Sequence, residues 1–537
     1  MSGLPRVVRS SAPVALGTAL SRLTGLARLA AMAYALGFSR LTDTYNLANT
    51  TPNIVYELLL GGVLSATLVP LFVEHRDRGD PDATSAVVTV AGVALLILTG
   101  VGVLAAPAIV RLYTVRLAGA EAAAQQEVAT ALLRLFMPQM LFYGITAMAT
   151  ALLHAHRRFA APAFTPVLNN LLVTALFLTL PQLAGRTPTL AGVRGDTGLI
   201  LLLGLGTTAG IAAMTLALLP ALRRAGIRLR PLFDWRHPAV RKLLSLSGWT
   251  AGYVASNQLA LWVVLVLAND TPGGVSAYQA AFVFFQLPHG LVAVSLMTTL
   301  VPDLAETGGR RDRAGFRHHF SIGVRLMTLV ILPAAAGYVV LARPIVGLLL
   351  QRGALTADAA GLTAACLAVF ALGLLPFSLY LFALRGFYAL HDTRTPFVLN
   401  CFENGLNIAL AFVLGPWLGV AGLAVAYALA YAFAAVAALR VLGHRAADMG
   451  PGAGALVTTE VGVFGLLPPR IGRIVVAAGI TAGAIAGALL ALPDRTSDVV
   501  EVTVGMVVGM AVYAGALAVL RVREASEVLA RLRRART

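Results

Sequence analysis

The chain of 537 residues is short of charge. Asp, Glu, Lys and Arg make up 12% of it, while 58% is hydrophobic. A soluble globular protein carries about 25% charged and about 45–50% apolar residues. This shortage excludes a soluble enzyme, a disordered chain and a coiled coil as starting points. Cysteine is nearly absent. Cys366 and Cys401 lie in apolar stretches without metal-ligand spacing, which excludes a disulfide scaffold and marks both as small core residues. Lysine is rarer still, with Lys242 alone. The chain lacks a phosphate-binding P-loop, an H-E-x-x-H pair and any Cys/His cluster, so it carries no ATP motor and no zinc hydrolase signature. Its polar gaps are too short for a catalytic domain. An enzyme is not expected, and neither is a cofactor or a metal site.

What it has instead is long apolar runs. A membrane helix needs about 20 mostly apolar residues. About fourteen such runs lie near 13–37, 44–74, 84–111, 129–156, 161–183, 197–222 and 240–268, then 275–305, 318–350, 357–389, 394–414, 417–443, 471–493 and 498–521. The first is too long for a signal-peptide core and no A-x-A site follows it, so it reads as a mature span.

The formal charge of +17 invites a nucleic-acid reading, but the arginines sit in short gaps between spans, not along one groove. No nucleic-acid partner is expected. Alternate gaps differ sharply in basic content. One set contains Arg6, Arg9, Arg76, Arg78, Arg157, Arg158, the 223–242 segment, Arg310, Arg311, Arg313, Arg317, Arg394, the 440–473 loop and the tail. It holds roughly 30 basic residues, and the other set fewer than about 10. The richer set is therefore cytoplasmic, both termini lie inside, and an even number of spans is required.

An internal repeat is legible. LSATLVPLFVE at 64–74 returns as LMTTLVPDLAE at 296–306, and TPVLNN at 165–170 as TPFVLN at 395–400. The members of each pair are six spans apart and run in the same direction. This predicts an all-α polytopic membrane protein of two pseudo-symmetric six-helix lobes plus two C-terminal helices. The divisions are 1–230 (spans 1–6), 231–445 (spans 7–12), a cytoplasmic loop at 446–470, and 471–537 with spans 13–14 and a basic tail. Lobes related in this way leave a mid-membrane cavity whose rocking gives alternating access.

Ionisable residues inside spans are costly and mark function or partners. Arg22 and Arg28 in SRLTGLARLA are about 9 Å apart along the axis and about 120° apart around it. Two guanidiniums there suit a pyrophosphate, which the planar fork binds bidentately, or else form a structural network with Glu57 or carbonyls. Glu57, one turn from Asn53, balances Arg28 or takes a proton, charge pairing being the simpler reading. Asp43 opens span 2, where N-cap chemistry at the outer surface is the plain reading. In NCFENGLN, the pairs Asn400/Asn404 and Glu403/Asn407 share faces and either hold a cation or glue helices together.

Several stretches resemble the MurJ/MviN family, the lipid II flippases of the MOP exporter superfamily. These are SRLTGLAR at 21–28 with the spacing on to Asp43, Pro52-Asn53 and LSATLVPLF, the 138–170 hairpin, LPAAAGYVVLARPIVGLLLQRGAL at 332–355 and RGFYALHDTRTP at 385–396. The resemblance covers about residues 10–440. It implies a carrier in the bacterial cytoplasmic membrane that moves the undecaprenyl-pyrophosphate-linked peptidoglycan precursor from the inner to the outer leaflet. Its partners would be lipid II, membrane lipids and the cell-wall synthesis machinery. Family cavity cations fall on Arg22 and Arg28, and the outer acidic position on Asp43. The substrate-binding set is then Arg22, Arg28, Asp43, Asn53 and Glu57. The resemblance also implies a lipid-tail groove from about 471–521, the membrane potential as energy source and, in some members, sodium near the polar residues of spans 7, 11 and 12.

The chain departs from the family where arginines are usual at Tyr56 and Val283 and acids at Gly61 and Leu29. Half of the expected cationic cavity is missing and an acid is added. The alternative is a MOP-type exporter of another lipid-linked oligosaccharide or of a small cationic drug.

Overall fold

The computed structural model describes residues 4–58, 68–449, 471–493 and 495–522. Gly61, the first part of the 64–74 repeat and most of the 446–470 loop lie outside them, as does the basic tail. Among the described residues every regular element is a helix, and ten are long and apolar enough to cross a membrane. The expected total of about fourteen is not reproduced by that criterion. The runs near 13–37, 44–74 and 240–268 fall on helices outside the ten, and 394–414 and 417–443 share one helix.

The chain forms two compact units. The first comprises Met1–Ser276 and Leu350–Thr356. Its helices are α1 (Leu4–Leu36), α2 (Arg40–Leu58), α3 (Val69–Asp77), α4 (Pro81–Tyr113), α5 (Gly119–Phe136), α6 (Gln139–Ala155), α7 (Ala160–Ala184), α8 (Leu190–Arg194), α9 (Thr197–Leu216), α10 (Leu219–Arg224) and α11 (Pro238–Ala268). Gly17 of α1 lies so close to Ala163 of α7 that a Cβ would stand 2.9 Å from its backbone. Small residues bring two backbones together where lipid supplies no hydrophobic drive for association.

The second unit comprises Ala277–Leu349 and Ala357–Thr537. It holds most of α12 (Gly274–Pro288), a π-helical turn (His289–Ala293), α13 (Val294–Gly309), α14 (Arg313–Leu350), α15 (Ala357–Ala389), α16 (Arg394–Ala447), α17 (Ile471–Leu490) and α18 (Asp498–Val519). In α16 the helix breaks at Gly419, whose φ of 61° and ψ of −145° suit a residue without a Cβ. The last two helices pack on α14 through Leu329, Ile474, Ala477 and Leu517, and Tyr513 donates its hydroxyl hydrogen to the Leu329 carbonyl at 2.8 Å.

The repeat is visible in helix ends. After α3 the amides of Arg78, Gly79 and Asp80 turn back onto the carbonyls of Glu74, Arg76 and His75. After α13 the amides of Arg310, Arg311 and Asp312 turn back onto Glu306, Gly308 and Thr307. Each closing aspartate then starts the next helix, Asp80 accepting from the Ala83 amide and Asp312 from the Gly315 amide. A second matched pair ends α6 and α15, where Arg157 and His391 adopt left-handed φ values of 57° and 60°. In the cores, Tyr45 meets Phe136 edge-on at 5.4 Å, and Tyr278 meets Phe370 at 5.1 Å.

One core expectation fails. Cys366 is buried, but Cys401 is exposed. The face of α16 that turns inward around Cys401 is polar, with Asn400, Glu403, Asn404 and Asn407 all buried and Phe402 exposed. In a membrane helix the outward face is the apolar one, so a thiol in an apolar run is at home there.

Candidate functional site

The candidate residues of the first unit lie on α1 and α2, with partners on α6 and α7. α1 carries Arg22 and Arg28, both half-buried. It is fixed to α7 by Asn170, whose amide donates to the Ser21 carbonyl at 3.0 Å and the Thr24 hydroxyl at 3.1 Å. Among the described residues neither guanidinium has an ion-pair partner. Arg28 is near enough to Tyr45 for its charge to act on that phenol.

α2 presents a polar stripe. Asn46, Asn49, Thr50, Asn53 and Glu57 recur at spacings of three and four and so share one face. Asn53 Oδ1 accepts from the Tyr143 hydroxyl of α6 at 2.8 Å. Asn49 Oδ1 is buried and has no hydrogen-bond partner among the described residues. The side chain of Glu57 is exposed, and the expected pairing with Arg28 is not formed. The reason lies in helix register: Glu57 stands at the far end of α2 from Tyr45, the residue Arg28 approaches.

Asp43 does not cap its own helix. It lies inside the first turn of α2, fully buried, and caps α12. Its carboxylate accepts from the Gly273 amide at 2.7 Å, the Ser276 amide at 2.9 Å and the Ser276 hydroxyl at 2.7 Å. A carboxylate at a helix N-terminus satisfies free amides and meets the positive end of the helix dipole. Gly273 is required in this turn, with φ of 80° and the Phe38 carbonyl 2.5 Å from where a Cβ would stand. Beside it, Arg40 binds the Asn269 carbonyl and pairs with Glu121 at 2.9 Å, and Gln125 donates to Asn269 Oδ1 at 3.0 Å. Arg116 pairs with Asp270 at 2.7 Å.

The structure thus places Arg22, Arg28, Asn53 and Glu57 on α1 and α2 with open valences. It places Asp43 in a separate, internally satisfied network. Sequence reasoning missed Tyr143, Asn170 and the partners of Asp43. Tyr143 left no signal, being a tyrosine in an apolar run, and Asn170 left one only as the last residue of the repeated TPVLNN. The partners of Asp43 had one: Gly273 stands in the Pro-Gly-Gly turn that opens span 8.

Of the departure positions, Leu29 is buried and Val283 on α12 is exposed. In the second unit, Glu403 Oε2 and Asn407 Oδ1 are buried without hydrogen-bond partners among the described residues.

A family model described as lipid II flippase MurJ matches residues 32–490. A probable lipid II flippase MurJ of Rhizobium meliloti is 30% identical over 492 residues, covering 89% of this chain and 86% of the relative. The lipid II flippase MurJ of Burkholderia cenocepacia is 30% identical over 417 residues, covering 76% and 78%. Among solved structures, a lipid II flippase MurJ in an inward closed conformation superposes with a TM-score of 0.76 at 21% identity, covering 94% of this chain and 99% of that one. An inward-facing MATE multidrug transporter of the MOP superfamily follows at 0.66 and 14%, covering 80% and 99%. These neighbours share the fold of a polytopic transporter, and the match across most of its length shows that the chain belongs to the MurJ family of lipid II flippases.

Proposed function

We propose that this chain moves lipid II, the undecaprenyl-pyrophosphate-linked peptidoglycan precursor, from the inner to the outer leaflet of the bacterial cytoplasmic membrane by alternating access. It is a transporter, not an enzyme. Its substrate and membrane lipids are its partners, and the enzymes that consume lipid II outside are expected to be others. The basic gaps and both termini face the cytoplasm, and residues 1–230 and 231–445 are the two lobes.

The observation that carries the reading is the pair of half-buried guanidiniums, Arg22 and Arg28, held on α1 without an acidic partner among the described residues. An unpaired arginine in a span costs about 2.5–3.5 kcal/mol on insertion scales, so an anion that repays it is the natural ligand. In this reading Arg22 and Arg28 bind the pyrophosphate, and Asn53 offers its amide to the acceptor-rich headgroup. Glu57 contacts the peptide or takes a proton. Asp43 acts as a positioning residue that fixes α2 to the start of α12. A cationic-drug exporter would call on acidic residues in both lobes, such as Glu57 and Glu403, rather than on Arg22 and Arg28.

The test is complementation in a bacterium depleted of its own lipid II flippase. Wild type should restore growth, and Arg22→Ala/Arg28→Ala should not, at equal membrane expression. Growth of the double variant, or no rescue by well-inserted wild type, would overturn the reading.

A further inference from the structure

We infer that the strap joining α10 to α11, residues 225–237, docks on the anionic phospholipid headgroups of the cytoplasmic leaflet. The strap is not helical. It is pinned to α4 at two points, the Arg230 amide donating to Ser85 Oγ at 3.3 Å and the Leu232 amide to Thr89 Oγ1 at 3.1 Å. The two spacings match. Two residues of extended chain advance about 6.6 Å, and four residues of helix advance about 6 Å. The strap therefore runs along α4 in extended form, with side chains alternating from one side to the other.

That alternation sets its chemistry. Leu229, Pro231 and Phe233 point outward, and Trp235, in the turn that follows, is exposed as well, with Leu229 41%, Phe233 61% and Trp235 58% exposed. Leu232 and Asp234 between them are half-buried. Around this apolar row stand Arg223, Arg224, Arg228, Arg230 and Arg241, all exposed and none in an ion pair among the described residues. The Arg236 guanidinium lies over the Trp235 ring at 4.9 Å. Asp234 is the single acid between residues 223 and 242, and its Oδ1 accepts from the Arg236 amide. Lys242 is committed to Glu74 at 2.6 Å.

Two aromatics, two aliphatics and a ring of free arginines make a poor water-facing surface. They fit a boundary where apolar groups enter the acyl region while cations meet phosphates. Depth agrees. Ser85 and Thr89 follow the start of α4 at Pro81 by four and eight residues, which is about 6 and 12 Å along the axis. An interfacial segment buries its apolar face about 5–10 Å into the headgroup boundary. An acidic protein would use the arginines but leave Phe233 and Trp235 without a role. The inference rests on the orientation proposed above, and the following assay in micelles does not depend on that orientation or on transport.

In the full-length protein, Trp249, Trp262 and Trp417 are replaced by Phe so that Trp235 alone reports. Its fluorescence is read in mixed micelles containing dibrominated phosphatidylglycerol or dibrominated phosphatidylcholine. Both should quench, the anionic lipid at about tenfold lower mole fraction. Arg228→Gln/Arg230→Gln/Arg236→Gln should bring the two lipids to parity while quenching by phosphatidylcholine persists. A companion protein keeping only Trp417, which is 86% exposed, should show no lipid preference before or after the change. Equal quenching of Trp235 in the parent, no quenching by either lipid, or a preference that survives the triple substitution would each overturn the inference.

Discussion

At the scale of single residues, the chain separates polar groups that are finished from those left open. Asp43 is finished, since its oxygens receive three donors within 2.9 Å. Asp43→Asn keeps the shape but turns one acceptor into a donor facing an amide. A hydrogen bond to a charged group contributes about 1.5–3 kcal/mol, and a buried donor left unpaired adds to the loss. We expect D43N to lose at least about 2 kcal/mol, seen as a lower melting temperature in detergent. Asn53 is half finished. Tyr143→Phe removes the donor to its Oδ1 and frees the amide to rotate, at a stability cost of about 1 kcal/mol. Y143F should melt close to wild type yet complement a flippase-depleted strain poorly, whereas full complementation would deny Asn53 an oriented role. The arginines and acids of this set were legible in the sequence because charge in an apolar run is rare. Tyr143 was not, and Asn170 showed only as part of the TPVLNN repeat, because the packed structure alone shows which polar groups touch.

At the scale of elements, helix ends and small residues decide how spans meet. Gly17→Leu would force α1 off α7, displacing Asn170 from Ser21 and Thr24. Overpacking of this kind costs about 1–3 kcal/mol, and a thermal shift of the purified variant checks it. Asp392 offers a test with pH. It precedes α16, where its Oδ1 accepts from the Thr395 amide at 2.9 Å and its Oδ2 from the Thr395 hydroxyl at 2.6 Å. Burial works to raise its carboxyl, but the bonds to Thr395 and the nearby Arg445 outweigh it and hold the group below the usual carboxylate range. A carboxylate with a depressed folded-state pKa stabilises the fold above its unfolded value of about 3.9 and loses that as pH falls through the folded value. Wild type should therefore out-melt Asp392→Ala by a constant margin from pH 7 to about pH 5, and the margin should close only in stronger acid. Most span positions could be read from the sequence. The break of α16 was legible only as the gap at 415–416, just before Gly419, and the shared Asn and Glu face was legible as a cation site or helix glue, but not that its burial turns Cys401 outward. Hydropathy shows that a helix crosses lipid but not which side of it faces protein.

At the scale of the whole molecule, the strongest long-range pattern is the unequal sharing of basic residues between alternate gaps. The bias holds across the interval where helix ends repeat: Arg78 and Arg310 close α3 and α13, and Arg157 and His391 turn the chain after α6 and α15. If those ends are cytoplasmic, the network of Arg40, Glu121, Asn269 and Asp43 lies outside, at the other end of α2. Both faces then carry arginine, but differently. On the outer face Arg40 and Arg116 are committed to Glu121 and Asp270. On the inner face Arg76 and Arg78 are paired with Asp77 and Glu74, while Arg223, Arg224, Arg228 and Arg230 have no such partners among the described residues. Lys and Arg hold a loop in the cytoplasm during insertion and acidic neighbours change that little, so the basic count of each set of gaps decides the orientation. A fluorescent protein joined after Thr537 should therefore glow, and alkaline phosphatase at the same point should stay inactive. Phosphatase placed in the 186–189 turn after α7, on the opposite face, should be active. The reverse pattern would place the unpaired arginines outside and remove the basis for both the orientation and the lipid-docking strap.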